Sequence, residues 1–405
     1  MNRFAPLANI VGLLMLSGCS GSLSGHAFPN IESQRTSLRA TTLPDMSFRV
    51  IYSFGKTAKD ASYPDQAPIA VNGFFYGTTG GGGKSGDGTV YKMSPGGAET
   101  VLHSFNGADG QTPWAGLLYY NGAFYGTTFY GGTSNDGTVY RITPGGSFKL
   151  LRSFHGGSRD GGNPVGVLVA YNGTLYGTTG IGGPYNQKNG GYGTVFSITT
   201  GGSERILHFF KGVPDGSGPW GTLIPVNGVL YGTTAGGGKG YAGTVYRITT
   251  SGSEKILHNF KGSDGEQPEA NALYQNGWLY GTSVKGGSYG FGTVFKIGLG
   301  GQFSTLYNFD GASNGCHPTT GLLSVNGNFF GSTIGTFQGS SCTNAGTVYK
   351  ITPSGSLTTL HTFNGRNGGA EPIDYSGLST FEGRLYGTTE LGGDSNVGIV
   401  FSEAV

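Results

Sequence analysis

The chain has 405 residues, 81 of them glycine, with 13% aromatic and only 11% charged residues, against the roughly 25% charge of an average soluble domain. Its 23 Tyr and 25 Phe exclude a disordered polyelectrolyte, and a formal net charge of +2 with no Lys/Arg block gives no electrostatic footprint for nucleic acid. Length alone fits two or three domains or one long all-β domain, so the organisation has to be read from repeats.

The chain opens MNRFAPLANIVGLLMLSGC, with Arg3 in a short basic head, an apolar stretch to Leu16 and small residues before Cys19. That is the pattern of an export signal. Its apolar part, about a dozen residues, is shorter than the roughly twenty a membrane-spanning helix needs. Leu16-Ser17-Gly18-Cys19 resembles the lipobox of bacterial lipoproteins. The resemblance implies a signal peptide over 1–18, lipidation of Cys19 and contact with the membrane through the lipid alone. With Ser20 next, it points to the outer membrane or cell surface. The alternative is an ordinary cleaved signal in which Cys19 is incidental. Residues 19–46 carry Ser, Gly and Pro without periodicity and read as a flexible tether.

From residue 47 onward a Tyr-Gly-Thr-Thr element recurs at Tyr76, Tyr125, Tyr176, Tyr231, Tyr280, Phe330 and Tyr386, with gaps of 49, 51, 55, 49, 50 and 56. Such a period means a stacked or circular array. Each period holds four β-like runs, here called A to D, which in the second copy are GLLYYNG, AFYGTT, GTVYRIT and SFKLLRSF. Runs A and B are joined by Asn-Gly at Asn72, Asn121, Asn172, Asn227, Asn276 and Asn326, and by Glu382-Gly383 in the seventh copy. Asn-Gly is the pair that type I′ hairpins favour, because both central residues need positive φ. Four antiparallel strands per period make one propeller blade.

The ends of the array predict closure. The chain enters with a D-type run, FRVIYSF at 48–54, and leaves after a C-type run, GIVF at 398–401. The spare first strand completing the last blade leaves no open sheet edge, whereas an open solenoid would carry polar caps. The expectation is an all-β, seven-bladed propeller over 47–405, its first strand the clasp of its last blade. The succession Tyr-Gly-Thr-Thr, Gly-Gly, Gly-Thr-Val-[Tyr/Phe] and a Leu-His-Ser-Phe-like run resembles the bacterial GloVer repeat, over nearly all of 47–405. That family is recognised by repeat and anchor rather than by an activity. The spaced Tyr and Trp of Kelch blades and the Trp-Asp dipeptide of WD repeats are absent.

In an up-and-down blade the A-B and C-D turns share one face and the B-C and D-A connections the other. The second set is long and varied, as in 180–193, 334–346 and 106–113, and is therefore the expected binding face. Trp114 and Trp220 each follow a loop proline at the start of an innermost strand, near the channel mouth, while Tyr130, Tyr185, Tyr192, Tyr241, Tyr289, Phe291 and Phe337 fall in B-C loops. Flat rings beside amides and hydroxyls suit sugar stacking, and they equally suit packing between blades.

Asp60, Asp109, Asp160, Asp215 and Asp264, with Asn314, each lie four residues before a loop proline. They could ring a channel and attract cations, but Asp-Gly and Asn-Gly contexts such as Asp109-Gly110 and Asn314-Gly315 favour turn chemistry, so no metal is expected. His103, His208, His258 and His361 share one slot in run D with Tyr52, Arg152 and Tyr307, and read as architectural. His155 and His317 are irregular loop histidines, His317 next to Cys316 being the best candidate base, but two isolated histidines make no triad. Cys316 and Cys342 lie in the D-A and B-C loops of the sixth blade. In an oxidising compartment they are expected to form a disulfide, worth on the order of 3 kcal/mol in the chain-entropy picture.

These readings favour an exported, monomeric propeller that binds a glycan or surface protein, with no catalytic residues and no cofactor. A carbohydrate-active hydrolase or lyase would need paired carboxylates, for which Asp87, Asp136 and Glu266 are loop acids. A purely structural or adhesive envelope protein is the third class.

Overall fold

The computed structural model describes residues 48–57, 59–186, 188, 190–312, 314–335, 342, 345–365, 369 and 377–405. They form seven four-stranded antiparallel blades. In blade 2 the A to D runs become Leu118–Tyr120, Ala123–Thr128, Thr138–Ile142 and Phe148–Ser153, hydrogen-bonded in that order. The third blade gains a fifth strand, Gly161–Pro164. Six A-B hairpins turn on an Asn with φ of 47–50° followed by a positive-φ Gly, and in the seventh Glu382 adopts the same conformation at φ 49°.

The ring closes as expected. Phe48–Ser53 pairs with Ile399–Ala404 as the outer strand of a sheet completed by Arg384–Thr389 and Ser379–Phe381. In every blade the third and fourth strands shift register at one point, as between Val139 and Tyr140, and the clasp shifts in the same place, between Val50 and Tyr52. The extra residue, Ile51 in the clasp and Leu151 in blade 2, is a β-bulge that bends the outer strand. Its carbonyl explains the glycine in the next blade's C-D turn: a Cβ on Gly97 would meet Ile51 O at 2.4 Å, and one on Gly202 would meet Leu151 O at 2.5 Å.

The core lies between blades. Seven buried apolar clusters each join one blade to the next, the last uniting Tyr386 and Val400 of blade 7 with Phe75, Tyr91 and Met93 of blade 1. The Tyr-Gly-Thr-Thr element serves this packing residue by residue. The tyrosine ring meets the following blade, as Tyr76 meets Phe124 with centroids 4.4 Å apart. The glycine lies beneath the ring of its cross-strand partner, so that a Cβ on Gly126 would stand 2.4 Å from Tyr140 Oη. The first threonine can reach the next blade, as Thr78 Oγ1 donates to Ala115 O at 3.1 Å. The second pairs with a third-strand hydroxyl, as Thr128 does with Thr138 at 2.8 Å.

Candidate binding face

The B-C and D-A loops share a face because they pair with each other inside a blade. Ala61–Ser62 pairs with Gly81–Gly82, Gly161–Pro164 with the extended second strand of blade 3, and single bridges join Gln111 to Tyr130, Ser217 to Gly236 and Glu266 to Lys285. Among the described residues a bracket then ties six of the blades to their predecessors. The residue before the loop proline is left-handed in six blades, at Tyr63, Thr112, Asn163, Gly218, Gln267 and His317, with φ between 53° and 61°. Its N-H reaches the preceding blade's loop, as Thr112 does to Asp87 O at 2.9 Å and His317 to Phe291 O at 2.8 Å. A β-branched or bulky residue in this region is strained and persists only where its surroundings hold it.

The residue after the same proline leads toward the innermost strand. This slot holds Asp65, Trp114, Val165, Trp220, Glu269 and Thr319. Here the sevenfold regularity breaks. Trp114, Trp220 and Tyr130 come together in one aromatic cluster with Phe129, Val165 and Ala235. Trp114 lies 4.2 Å from Phe129 and 6.3 Å from Tyr130 between ring centroids, while Phe129 and Tyr130 meet edge to face at 4.5 Å. Trp220 is 8% exposed, and its buried Nε1 has no hydrogen-bond partner among the described residues. Burial raises the Tyr130 phenol above its ordinary value, so it stays a donor.

Asp65 and Glu269, buried in the same slot, escape a reading of the sequence by aromatics alone. The available signal is their place after the loop proline, shared with the two tryptophans. A Cβ on Gly80 would stand 2.5 Å from Asp65 Oδ2 and 3.4 Å from Trp114 Nε1, which sets that carboxylate beside the indole.

The remaining candidates stand apart from the cluster. Tyr241 and Tyr289 are 75% and 63% exposed, and Tyr185 is 40% exposed with the Lys211 ammonium 6.0 Å from its ring. Tyr192 and Phe291 occupy one slot and pack over Gly212 and Gly311 of the next D-A loop. Cys19 and Phe337 lie outside the described residues.

The repeated acids do not line a channel. Each holds its own D-A turn and an outer-strand side chain: Asp109 accepts from Asn106 N and contacts His103 Nε2 at 3.0 Å, Asp264 does the same with Lys261 N and His258, and Asp160 takes Arg152 Nη2 at 2.7 Å. Asn314 donates to Tyr307 Oη at 2.6 Å in the equivalent place. The histidine slot is therefore architectural. Asp87 and Asp136 sit near Asp109 and Asp160 of the following loops and are raised by burial and that charge. The two acids belong to separate junctions. Cys316 and Cys342 form the expected disulfide. The buried His317 directs Nδ1 at Val284 O, 2.9 Å away, and since a carbonyl only accepts, Nδ1 carries the proton.

Among solved structures the chain is similar to a puromycin hydrolase, at 15% identity and TM-score 0.51 over 82% of this chain and 50% of that one. It is also similar to a candidate 6-phosphogluconolactonase from Bacteroides uniformis, at 14% identity and TM-score 0.49 over 75% of this chain and 87% of that one. The first likeness is one of fold. No curated protein matches the sequence. The model of the Gloeobacter/Verrucomicrobia repeat matches residues 14–190 and 185–401, nearly the whole propeller, and the chain belongs to that repeat family.

Proposed function

We propose that this propeller is an exported envelope protein, held to the membrane by a lipid on Cys19, that binds an extracellular glycan through its B-C and D-A loop face without turning it over. A propeller of tandem repeats suits an interaction module in general. The observation that carries the glycan reading is the break in symmetry at the mouth. One sector of an otherwise repetitive ring gathers Trp114, Tyr130 and Trp220, with Asp65 and Glu269 in the same slot. Aromatic faces beside oriented carboxylates and amides suit the alternating apolar and hydroxyl surfaces of a sugar. Tyr185, Tyr241 and Tyr289 add separate exposed rings in the B-C loops of blades 3 to 5.

The test is a polysaccharide and glycan binding screen on the purified chain, followed by Tyr241→Ala, Tyr289→Ala and Trp114→Ala. The two exposed tyrosines can be removed without opening the core, so a fold of three or more in affinity lost at each, with unchanged thermal unfolding, would support binding at this face. Release of reducing ends from any bound polysaccharide would make the protein an enzyme instead. Absence of saturable binding to any glycan would leave a protein partner or an adhesive role.

A further inference from the structure

The outer junctions between blades follow a rule, and one junction stands apart from it. The fifth residue of each outer strand faces the first residue of the next blade's outer strand. His103 stacks on Phe148 and His258 on Phe303, at 3.8 and 3.9 Å between centroids. Where the first residue is an acid, the partner differs: Arg152 neutralises Glu204 and Asp160, and Tyr52 donates to Asp60 beside Glu99. Only between blades 3 and 4, among the described residues, does a histidine meet two carboxylates. His208, Asp215 and Glu254 each offer one ligand atom, all within 4.8 Å of one another.

We propose that His208, Asp215 and Glu254 form a binding site for a divalent transition-metal ion, zinc being the one whose ligand preferences the set best matches. An imidazole nitrogen and two carboxylate oxygens are ordinary zinc donors, with bonds of roughly 2.0–2.2 Å. Asp215 is 7% exposed, and while its Oδ2 takes His208 Nε2 at 3.0 Å and Lys211 N at 3.1 Å, its buried Oδ1 has no donor among the described residues. Glu254 Oε1 is likewise buried without one. Two carboxylates that meet out of water need a positive charge or a shared proton between them. The groups facing them are His208, Lys211 and the buried Tyr246 phenol, with Lys239 on the same wall, and the Lys211 ammonium lies 6.0 Å from the ring of Tyr185. A cleft of about 450 Å³ lined by Lys211, Lys239, Asn259 and the three proposed ligands opens the site to solvent and gives an ion a way in.

The chemistry fixes a pH signature. A metal ion displaces the protons of its carboxylate and imidazole ligands, so affinity must rise with pH. The site lies on the outer junction and does not depend on the loop-face reading.

The test is a Zn²⁺ titration of the full chain against a chromophoric chelator, at pH 7.5 and pH 5.5, repeated with Glu254→Gln, His208→Ala and, as the control junction, His258→Ala. The expected result is one ion per chain at pH 7.5, weakened at least tenfold by Glu254→Gln and by His208→Ala, weakened at pH 5.5, and unchanged by His258→Ala. Glu254→Gln keeps the shape of the side chain, and should His208→Ala fail to fold, it decides alone. Absence of stoichiometric binding, or binding that Glu254→Gln leaves intact, overturns the proposal and leaves the acids to share a proton.

Discussion

Phe48 lies face to face on His361, ring centroids 3.8 Å apart and planes 5° from parallel. The same stack joins His103 to Phe148 and His258 to Phe303, so the strand Phe48–Ser53 behaves as the outer strand of the last blade in side-chain detail as well as in register. Phe48→Ala is therefore expected to cost about 2–3 kcal/mol, close to the cost of Phe148→Ala, since each removes a part-buried ring from an equivalent stack. Urea unfolding midpoints compare the two. A neutral Phe48→Ala beside a costly Phe148→Ala would mean that the ring is not closed by this strand.

Four third-strand tyrosines, Tyr91, Tyr140, Tyr246 and Tyr349, are fully buried over the glycine of Tyr-Gly-Thr-Thr. Among the described residues the hydroxyls of Tyr91, Tyr140 and Tyr246 meet no hydrogen-bond partner, and burial raises each of these phenols far above its ordinary range. Blades 3, 5 and 7 place Phe196, Phe295 and Phe401 in that position. A buried donor left unmade costs about 1–3 kcal/mol. Tyr140→Phe should then raise stability by about 1 kcal/mol, read as an increase in the unfolding midpoint with an unchanged denaturant slope. A loss of stability would show that the hydroxyl has a partner.

Much of this architecture is legible in the sequence because it rests on local chemistry. Asn121-Gly122 encodes its own hairpin, and the leftover strand 48–53 encodes closure by counting. The disulfide follows from two loop cysteines in one blade. What stayed hidden depends on a neighbour about fifty residues away. His208 and Glu254 read as repeats of separate slots, and only the packing of one outer strand on the next puts them together. The acids Asp65 and Glu269 become visible only when the residue after the loop proline is compared across the copies. Trp220 shows the further limit, since its place after a loop proline can be read from the sequence but its burial against Phe129 and Val165 cannot.

Glu382 takes φ 49° in the one A-B hairpin that lacks asparagine. Asparagine tolerates the left-handed region through its short side chain, while a glutamate there has no such compensation. Glu382→Asn is expected to stabilise the chain by about 0.5–1 kcal/mol without altering the fold. Asn326→Glu, the reverse exchange in the sixth blade, should cost a similar amount. Thermal unfolding of the two variants checks both, and equal midpoints would place the turn outside this conformational account.

Glu99 offers a pH test at a junction without histidine. Its neighbours are Asp60, Lys56, Tyr52 and Tyr91, and burial first, then the Asp60 charge, pushes its carboxyl up to about 7, with Lys56 opposing. An unfolded glutamate titrates near 4.3. Between the two values the folded chain holds a proton that the unfolded chain has released, so stability is full below the window and falls as pH rises through it. Solvent screening of a part-exposed group reduces the effect to about 1 kcal/mol. Glu99→Gln has no proton to lose. The variant should match the parent near pH 4.5 and exceed it by about 1 kcal/mol at pH 8, with the gap opening between those values in chemical denaturation series. A difference that stays constant across the range would show that Glu99 is ionised throughout, its charge met by Lys56 at that junction.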